Sequence, residues 1–387
     1  MRVLHIGKFF PPFAGGMEYF LADLLPALHS LGITVAALVH AHPSVPAAGP
    51  QPGQAIPLWR APCYGRLLYA PISPTFPLWL ARAIDDFSPT ILHLHLPNTS
   101  AFWALAVARA RRLPWVIHWH ADVVSSQLDR RLALAYQFYR PLERRLLATS
   151  QAIIATSPDY LNSSTALRPW QAKCQVIPLG LNPERIPFPA AAALTQAAHR
   201  WGNASFKVLA VGRLTYYKGH ETLIEAVAGI PKARLIIVGT GERRLRLENL
   251  LKTLGLQDRI TLTDFLPEAE LHALLATGDV LCLPSLERTE AFGMVLLEAM
   301  RFQKPVVASD IPGSGVGWVV RQGRHGLLIP PNDRDALARA LRQLAESPQR
   351  RAELGQAGKL ALQAIFDIKQ VAEQMRSVYE TVCHPQR

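Results

Sequence analysis

Short apolar runs alternate with amphipathic stretches along this chain, and the alternation stops once and restarts. RVLHIG, ITVAALVHA, TILHLHLP, PWVIHWH, AIIATS and QVIPLG read as strands. MEYFLADLLPALHSLG, SAFWALAVARARRL and the region 127–149 read as helices between them. The strand runs are nearly continuous in apolar character, as in strands covered on both faces of a parallel sheet. Residues 42–62 read as an irregular loop rich in Pro and Ala. Residues 182–205, NPERIPFPAAAALTQAAHRWGNAS, break the rhythm with Pro and Ala and show no strand. The rhythm returns with FKVLAVGRL, RLIIVGTG, RITLTDF, DVLCLPS, KPVVASD and HGLLIP as strands. HETLIEAVAGI and ERRLRLENLLKTLG lead the helices between them.

Two successive βα arrays predict an α/β protein of two doubly wound, Rossmann-like domains facing a cleft. The predicted domains are 1–181 and 182–366, with a closing helix over 367–383 that crosses back to the first. The 387 residues exceed what one core usually supports.

The net charge of +12 suits an anionic partner: nucleic acid, an anionic membrane or a phosphorylated ligand. No basic-aromatic nucleic-acid motif accompanies it, so nucleic acid is set aside. No run reaches the length of a membrane span; PISPTFPLWLARAI comes nearest and is broken by prolines. The N-terminal run reads as a first strand and not a signal peptide. Four scattered cysteines without a CxxC pair read as reduced thiols. The expected location is cytoplasmic, or peripheral on the inner face of the cell membrane.

Doubly wound sheets bind ligands beyond the carboxyl ends of their strands. Gly15 and Gly16 follow the first strand and open a helix, where backbone amides can approach an anion; a plain turn is the alternative. The spacing is not GxGxxG, so no dinucleotide fingerprint is present. In GRLTYYKGH, Arg213 and Lys218 follow the first strand of the second array. They read either as a diphosphate clamp, fork plus point charge, or as a solvated surface pair. In TEAFGMVLLEAM, Glu290 falls in a loop and Glu298 two turns into a helix. Eight residues at ~1.5 Å each span at most ~12 Å. Two carboxylates so placed could accept from hydroxyls on the two sugars of a sugar nucleotide. The alternative is one loop glutamate and one helix-surface glutamate.

EAFGMVLLEAMRFQKPVVASDIPG, with GRLTYYKG upstream and FPPFAGGMEYF at the start, resembles the retaining GT-B glycosyltransferases of family 4 (glycosyl transferases group 1). VIPLGLNP, DVLCLPSLERTEAFG and HGLLIPPND add to the likeness. VLHIGKFFPPFAGGME and SDIPGSGVGWV look most like members from polysaccharide or O-antigen assembly. The resemblance implies hexosyl transfer from a nucleoside diphosphate sugar, with retention, to a glycan or lipid-linked acceptor. No cofactor is expected, and no metal, since two cationic side chains would replace the usual ion. It assigns Glu290 to the donor hexose and Glu298 to the ribose, and Arg213 and Lys218 to the diphosphate. Gly15 and Gly16 would face the donor phosphates, and Ala291, Phe292 and Gly293 would line the donor beside Glu290. Ala291 stands where glycine is usual, and Asp264 where a glycine is common. His120, in VIHWHADVV, aligns with the histidine near the reacting carbon. His95, Asn98 and Asp122 are candidates for the acceptor pocket. His118 and His93 read as structural core histidines. Resemblance to mannosyltransferases points to GDP-mannose as donor.

Three other readings compete. HWHAD, residues 118–122, has the H-x-H-x-D spacing of metal-dependent hydrolases. A non-catalytic sugar-nucleotide binding protein would keep the same donor residues. Asp333 and Asp335 form a D-x-D that capping of the following helix explains. Finally, LDRRLALAYQFYRPLERRLL, residues 128–147, interleaves arginines with Leu, Tyr and Phe. It reads either as a basic amphipathic helix lying on an anionic bilayer or as a solvated helix on the sheet.

Overall fold

The structure is a computed structural model that describes residues 1–51, 53–67, 70–123 and 130–384. The chain divides into two units, Met1–Gly180 with Ile368–Arg387, and Leu181–Asp367.

Among the described residues the first unit is built on a seven-stranded sheet, beside a short two-stranded pair (Arg66–Leu67 with Ala70–Pro71): β1 (Arg2–Ile6), β2 (Thr34–His40), β3 (Leu58–Ala61), β4 (Ile91–Leu96), β5 (Trp115–Trp119), β6 (Ala152–Ala155) and β7 (Cys174–Val176). Their order across the sheet is β3-β2-β1-β4-β5-β6-β7, with every pairing parallel. Each of β1, β2 and β4–β6 is buried almost end to end, which is why their sequences show no polar alternation. The helices are α1 (Gly16–Ser30), α2 (Phe76–Phe87), α3 (Arg130–Thr149) and the short α4 (Pro158–Ser163).

The second unit repeats the plan with β8 (Phe206–Val211), β9 (Ala233–Val238), β10 (Ile260–Thr263), β11 (Val280–Leu283), β12 (Val306–Ser309) and β13 (Gly326–Ile329). The order is β10-β9-β8-β11-β12-β13, again all parallel. In both sheets the order reverses beside the first strand, the switch point where such sheets take ligands. Its helices are α5 (Ala191–Trp201), α6 (His220–Ala228), α7 (Arg244–Leu254), α8 (Glu268–Thr277), α9 (Met294–Arg301), α10 (Gly315–Gly323), α11 (Arg334–Glu346) and α12 (Pro348–Ala364). Capping oxygens start several of them: Ser314 accepts from Val316 N at 3.1 Å, Asp333 from Ala336 N at 2.8 Å, and Ser347 from Arg350 N at 3.2 Å. Asp333 therefore acts as an N-cap. The last helix, α13 (Ile368–Cys383), packs on α1 and belongs to the first unit.

Three segments differ from the sequence expectation. The loop expected over 42–62 contains β3, a four-residue edge strand too short to show a period. The single helix expected from SAFWALAVARARRL is two 3₁₀ pieces, Thr99–Leu105 and Ala110–Arg112. There the Asn98 side chain accepts from Ser100 N, and the Ala110 carbonyl accepts both from Leu113 N, an i→i+3 bond, and from the Trp115 indole. The linker 182–205 contains α5, which packs on α8. Its alanines are the strongest helix formers and outweighed the neighbouring prolines. Residues 124–129 lie outside the described residues, so the start of the basic stretch 128–147 does too.

Candidate active site

In the second unit, β8 delivers Gly212 and Arg213 at its carboxyl end, and a 3₁₀ turn over Tyr216–Lys218 leads into α6. Gly219 closes that turn at φ 67°, in the left-handed region. A Cβ there would also run into the Pro284 carbonyl of the loop after β11. Glycine thus lets the turn lie directly against the loop that carries Glu290.

The consequence is an ion pair. Lys218 Nζ donates to Glu290 Oε2 at 2.5 Å, with both side chains 12% exposed. Burial would lower the lysine pKa, but the Glu290 carboxylate, Tyr217 and the hydrogen bond raise it above its ordinary value. Ser285 Oγ also donates to Glu290 Oε2, at 3.2 Å. Both hydrogen bonds fall on the same oxygen. The Glu290 backbone is fixed from the other side, where its carbonyl accepts from Ser314 Oγ. The next carbonyl, of Ala291, accepts from Gly315 N at 2.8 Å. Arg213 Nη2 donates to Tyr217 Oη at 2.8 Å, and the guanidinium and the lysine ammonium both lie 5.8 Å from the Tyr217 ring centre. Phe292 is buried, Gly293 starts α9 at φ 78°, and Glu298 is half-buried within that helix. Arg244 pairs with Asp264 at 2.7 Å at the end of β10.

The sequence reading placed Lys218 and Glu290 on different parts of a ligand; the structure joins them directly. It missed Ser285, Ser314 and Tyr217. Ser285 had a signal, since it closes the DVLCLPS strand where ligand-facing residues fall.

In the first unit, Gly15 caps α1 with extended backbone, and a Cβ there would run into the carboxylate of Glu18, one turn into the helix. A side-chain carboxylate thus lies at the helix N-terminus, as favoured by its dipole. The sequence reading overlooked it.

His120 follows β5 and lies in a group of five imidazoles, with His5 on β1, His93 and His95 on β4 and His118 on β5. Parallel register sets His5 beside His93 and His95 beside His118. Four of the rings are fully buried and His120 is 6% exposed. Phe20 of α1 meets His118 and His120 edge-on, and Tyr379 of α13 bonds His93 Nδ1 at 2.5 Å. Burial holds all five pKa values well below the ordinary one, His95 at about 3; for His5, His93, His118 and His120, neighbouring imidazoles lower them further. The rings are neutral at pH 7. His95 is therefore enclosed. Asn98 spends its amide on Gly7 O and Ser100 N at 3.0 and 3.1 Å. Asp122 Oδ1 accepts from Trp119 Nε1 and Ser164 Oγ at 2.8 and 2.7 Å.

Two triads, His5–His93–His95 and His95–His118–His120, bring nitrogens within 4.8 Å of one another. The His118 and His120 rings lie face to face, 4.3 Å apart and 9° from parallel. A ring nitrogen binds a cation through a lone pair in its own plane, so two such rings do not aim at one point. Neither triad includes a carboxylate to offset the charge of a buried ion. The geometry suits packed neutral imidazoles better than a metal centre, and the hydrolase reading of 118–122 gains no support.

A pair of doubly wound parallel sheets, one with a cation–carboxylate pair at its switch point, has the architecture of the GT-B class of glycosyltransferases. Residues 15–180 match the family model described as glycosyl transferase 4-like domain, and residues 194–361 match glycosyl transferases group 1. The chain is 30% identical to D-rhamnosyltransferase WbpZ of Pseudomonas aeruginosa, over 95% of this chain and 92% of that one. It is 28% identical to O-antigen chain mannosyltransferase C of Escherichia coli, over 99% of each. The solved structure of sucrose-phosphate synthase from Thermosynechococcus elongatus superposes with a TM-score of 0.78 at 26% identity, covering 99% of both chains. The protein belongs to the group 1 glycosyl transferases, and it is a transferase enzyme with the two-domain Rossmann-like GT-B fold.

Proposed function

We propose that the protein transfers a hexose from a nucleoside diphosphate sugar, GDP-mannose first among the candidates, to a glycan or lipid-linked acceptor during cell-surface polysaccharide synthesis. The relatives named for O-antigen and rhamnosyl transfer support the pathway class. The single observation that carries the donor reading is the Lys218–Glu290 pair beside Arg213 at the strand ends. An ammonium has three N–H donors, so one can hold Glu290 while others reach phosphate oxygens. With both hydrogen bonds on Oε2, Glu290 Oε1 is the oxygen left for a hexose hydroxyl.

In this reading Arg213 and Lys218 stabilise the diphosphate as negative charge grows on it. Gly15 and Gly16 offer amides to the same group, in exchange with Glu18. His120 orients groups at the donor sugar. Glu298 accepts from the ribose. The configuration is retained through front-face attack and an oxocarbenium-like state.

The test is hydrolysis and transfer by the purified protein with GDP-mannose, the UDP-hexoses and dTDP-rhamnose, with product anomers read by NMR. Turnover with one donor, retained configuration and full activity in EDTA are expected. Inverted product, or loss in EDTA with rescue by a divalent ion, rejects the corresponding part. Binding of a donor with no hydrolysis or transfer would favour the non-catalytic reading.

A further inference from the structure

Within the imidazole group three rings form a hydrogen-bonded row. His5 Nδ1 lies 3.1 Å from His95 Nε2, and His95 Nδ1 lies 2.9 Å from His120 Nε2. The row crosses three neighbouring strands, β1, β4 and β5, from a fully buried ring to the least buried one at a strand end. His95 uses both nitrogens within it. The nitrogens at its two ends, His5 Nε2 and His120 Nδ1, are buried and have no hydrogen-bond partner among the described residues.

A neutral imidazole carries one N–H and one bare nitrogen. Three rings therefore bring three N–H groups to two links, and both links form in only two ways. In one, every N–H points inward along the row, and the spare N–H sits on His5 Nε2. In the other, every N–H points outward, and the spare N–H sits on His120 Nδ1. The two differ in where the unmet donor falls. At His5 it is sealed in the interior, at 0% exposure. At His120 it lies past the carboxyl end of β5, where a doubly wound sheet receives ligands. A buried N–H without acceptor is rarer in proteins than an acceptor without donor. Both end nitrogens are buried, so the two arrangements differ in what can later meet the spare N–H: a ligand at the strand end can bring an acceptor to His120, 6% exposed, and not to His5, 0% exposed.

We infer that His5 and His95 hold His120 as its Nδ1–H tautomer, so that His120 meets its ligand as a hydrogen-bond donor. His95 and His5 are positioning residues that act through His120, and no proton is transferred. This rests on the proposed role of His120 at the donor sugar, and it adds the direction of the hydrogen bond: the ligand atom is an oxygen that accepts.

The experiment combines spectroscopy with kinetics. Two-bond 1H–15N correlation spectra of histidine-labelled protein distinguish the tautomers, with the His120 signals assigned by their loss in His120→Ala. The wild type is expected to show a protonated Nδ1 and a bare Nε2 on His120. His95→Phe cuts the row and should shift His120 toward Nε2–H. It should lower kcat for GDP-mannose, or for the donor found by the screen, by ~10-fold with KM little changed. His95→Gln offers an amide N–H to His120 and a carbonyl to His5, and should restore both readouts. His5→Phe, two rings away, should move the His120 tautomer in the same direction; it serves as the test if His95→Phe does not fold. A wild-type His120 protonated at Nε2, or a tautomer unmoved by these substitutions, overturns the inference. Full turnover in His120→Ala would instead reject the role of His120, whatever the tautomer.

Discussion

Lys218 and Glu290 stand 72 positions apart in sequence and share a 2.5 Å ion pair at the carboxyl ends of β8 and β11. Neither residue can be altered without changing the setting of the other. Removing the ammonium leaves a largely enclosed carboxylate, and removing the carboxylate frees the ammonium to move.

The first prediction follows from that coupling. Lys218→Ala and Arg213→Ala should each slow turnover by ~10²-fold or more, as losses of charge stabilisation in the transition state do. Lys218→Ala combined with Glu290→Gln should cost much less than the product of the two single effects. Steady-state kinetics of the three variants check this; multiplicative losses would mean the two residues act separately.

The two glutamates should separate by kinetic parameter. Glu298→Gln should raise KM for the donor and leave kcat nearly intact, because a ribose contact is similar in ground and transition states. Glu290→Gln should lower kcat, since the hexose changes charge during reaction and Lys218 loses its partner. A thermal melt must first show that Glu298→Gln folds, as α9 is apolar around it. A larger kcat loss in Glu298→Gln would reverse the two roles.

Helix α3 presents Leu134, Phe138 and Leu142, at 59, 75 and 44% exposure, along one stripe at four-residue spacing. Arg140, Arg144 and Arg145 are exposed on the same helix. Among the described residues no helix is long and apolar enough to cross a membrane. Changing the three arginines together to Glu should weaken sedimentation with anionic vesicles and spare turnover of a soluble acceptor analogue. Equal vesicle binding would remove the membrane role of this helix.

Acid should destabilise the fold through its histidines. Buried His95 and His325 have pKa values lowered to about 3, and His40 and His220 to about 4, against ~6.5 when unfolded. Below pH ~6.5 the unfolded chain binds protons that the folded chain does not, so stability is full above that pH and falls toward pH 4. Glu143 opposes this: burial raises its pKa to about 7, so its contribution runs the other way between its unfolded value and 7. One such carboxyl against several histidines leaves the net slope positive. Urea midpoints at pH 7.5, 6 and 5 should decline in that order; a flat profile would contradict burial of the neutral rings.

Much of the architecture was legible because parallel strands buried on both faces leave unbroken apolar runs, as in TVAALVH and ARLIIV. Edge strand β3 escaped because four residues carry no period, and α5 because its prolines masked the alanines beside them. The site was legible as residue types at strand ends: Arg213, Lys218, Glu290. What sequence could not carry was their mutual contact, which depends on Gly219 allowing one loop to lie on another. The same limit applies to the histidines. Their period-two spacing within HLH and HWH was plain, but the row needs His5 and the in-register pairing of three strands.

Helix α13 gives the two halves of the chain different histories during synthesis. The second unit is one contiguous segment and can complete itself as soon as it leaves the ribosome. The first cannot: His93 waits for Tyr379, made 286 residues later, before that bond closes over the imidazole group. Until then His93 lacks that partner and the first unit lacks the helix that packs on α1. The second unit can thus form before the first is complete.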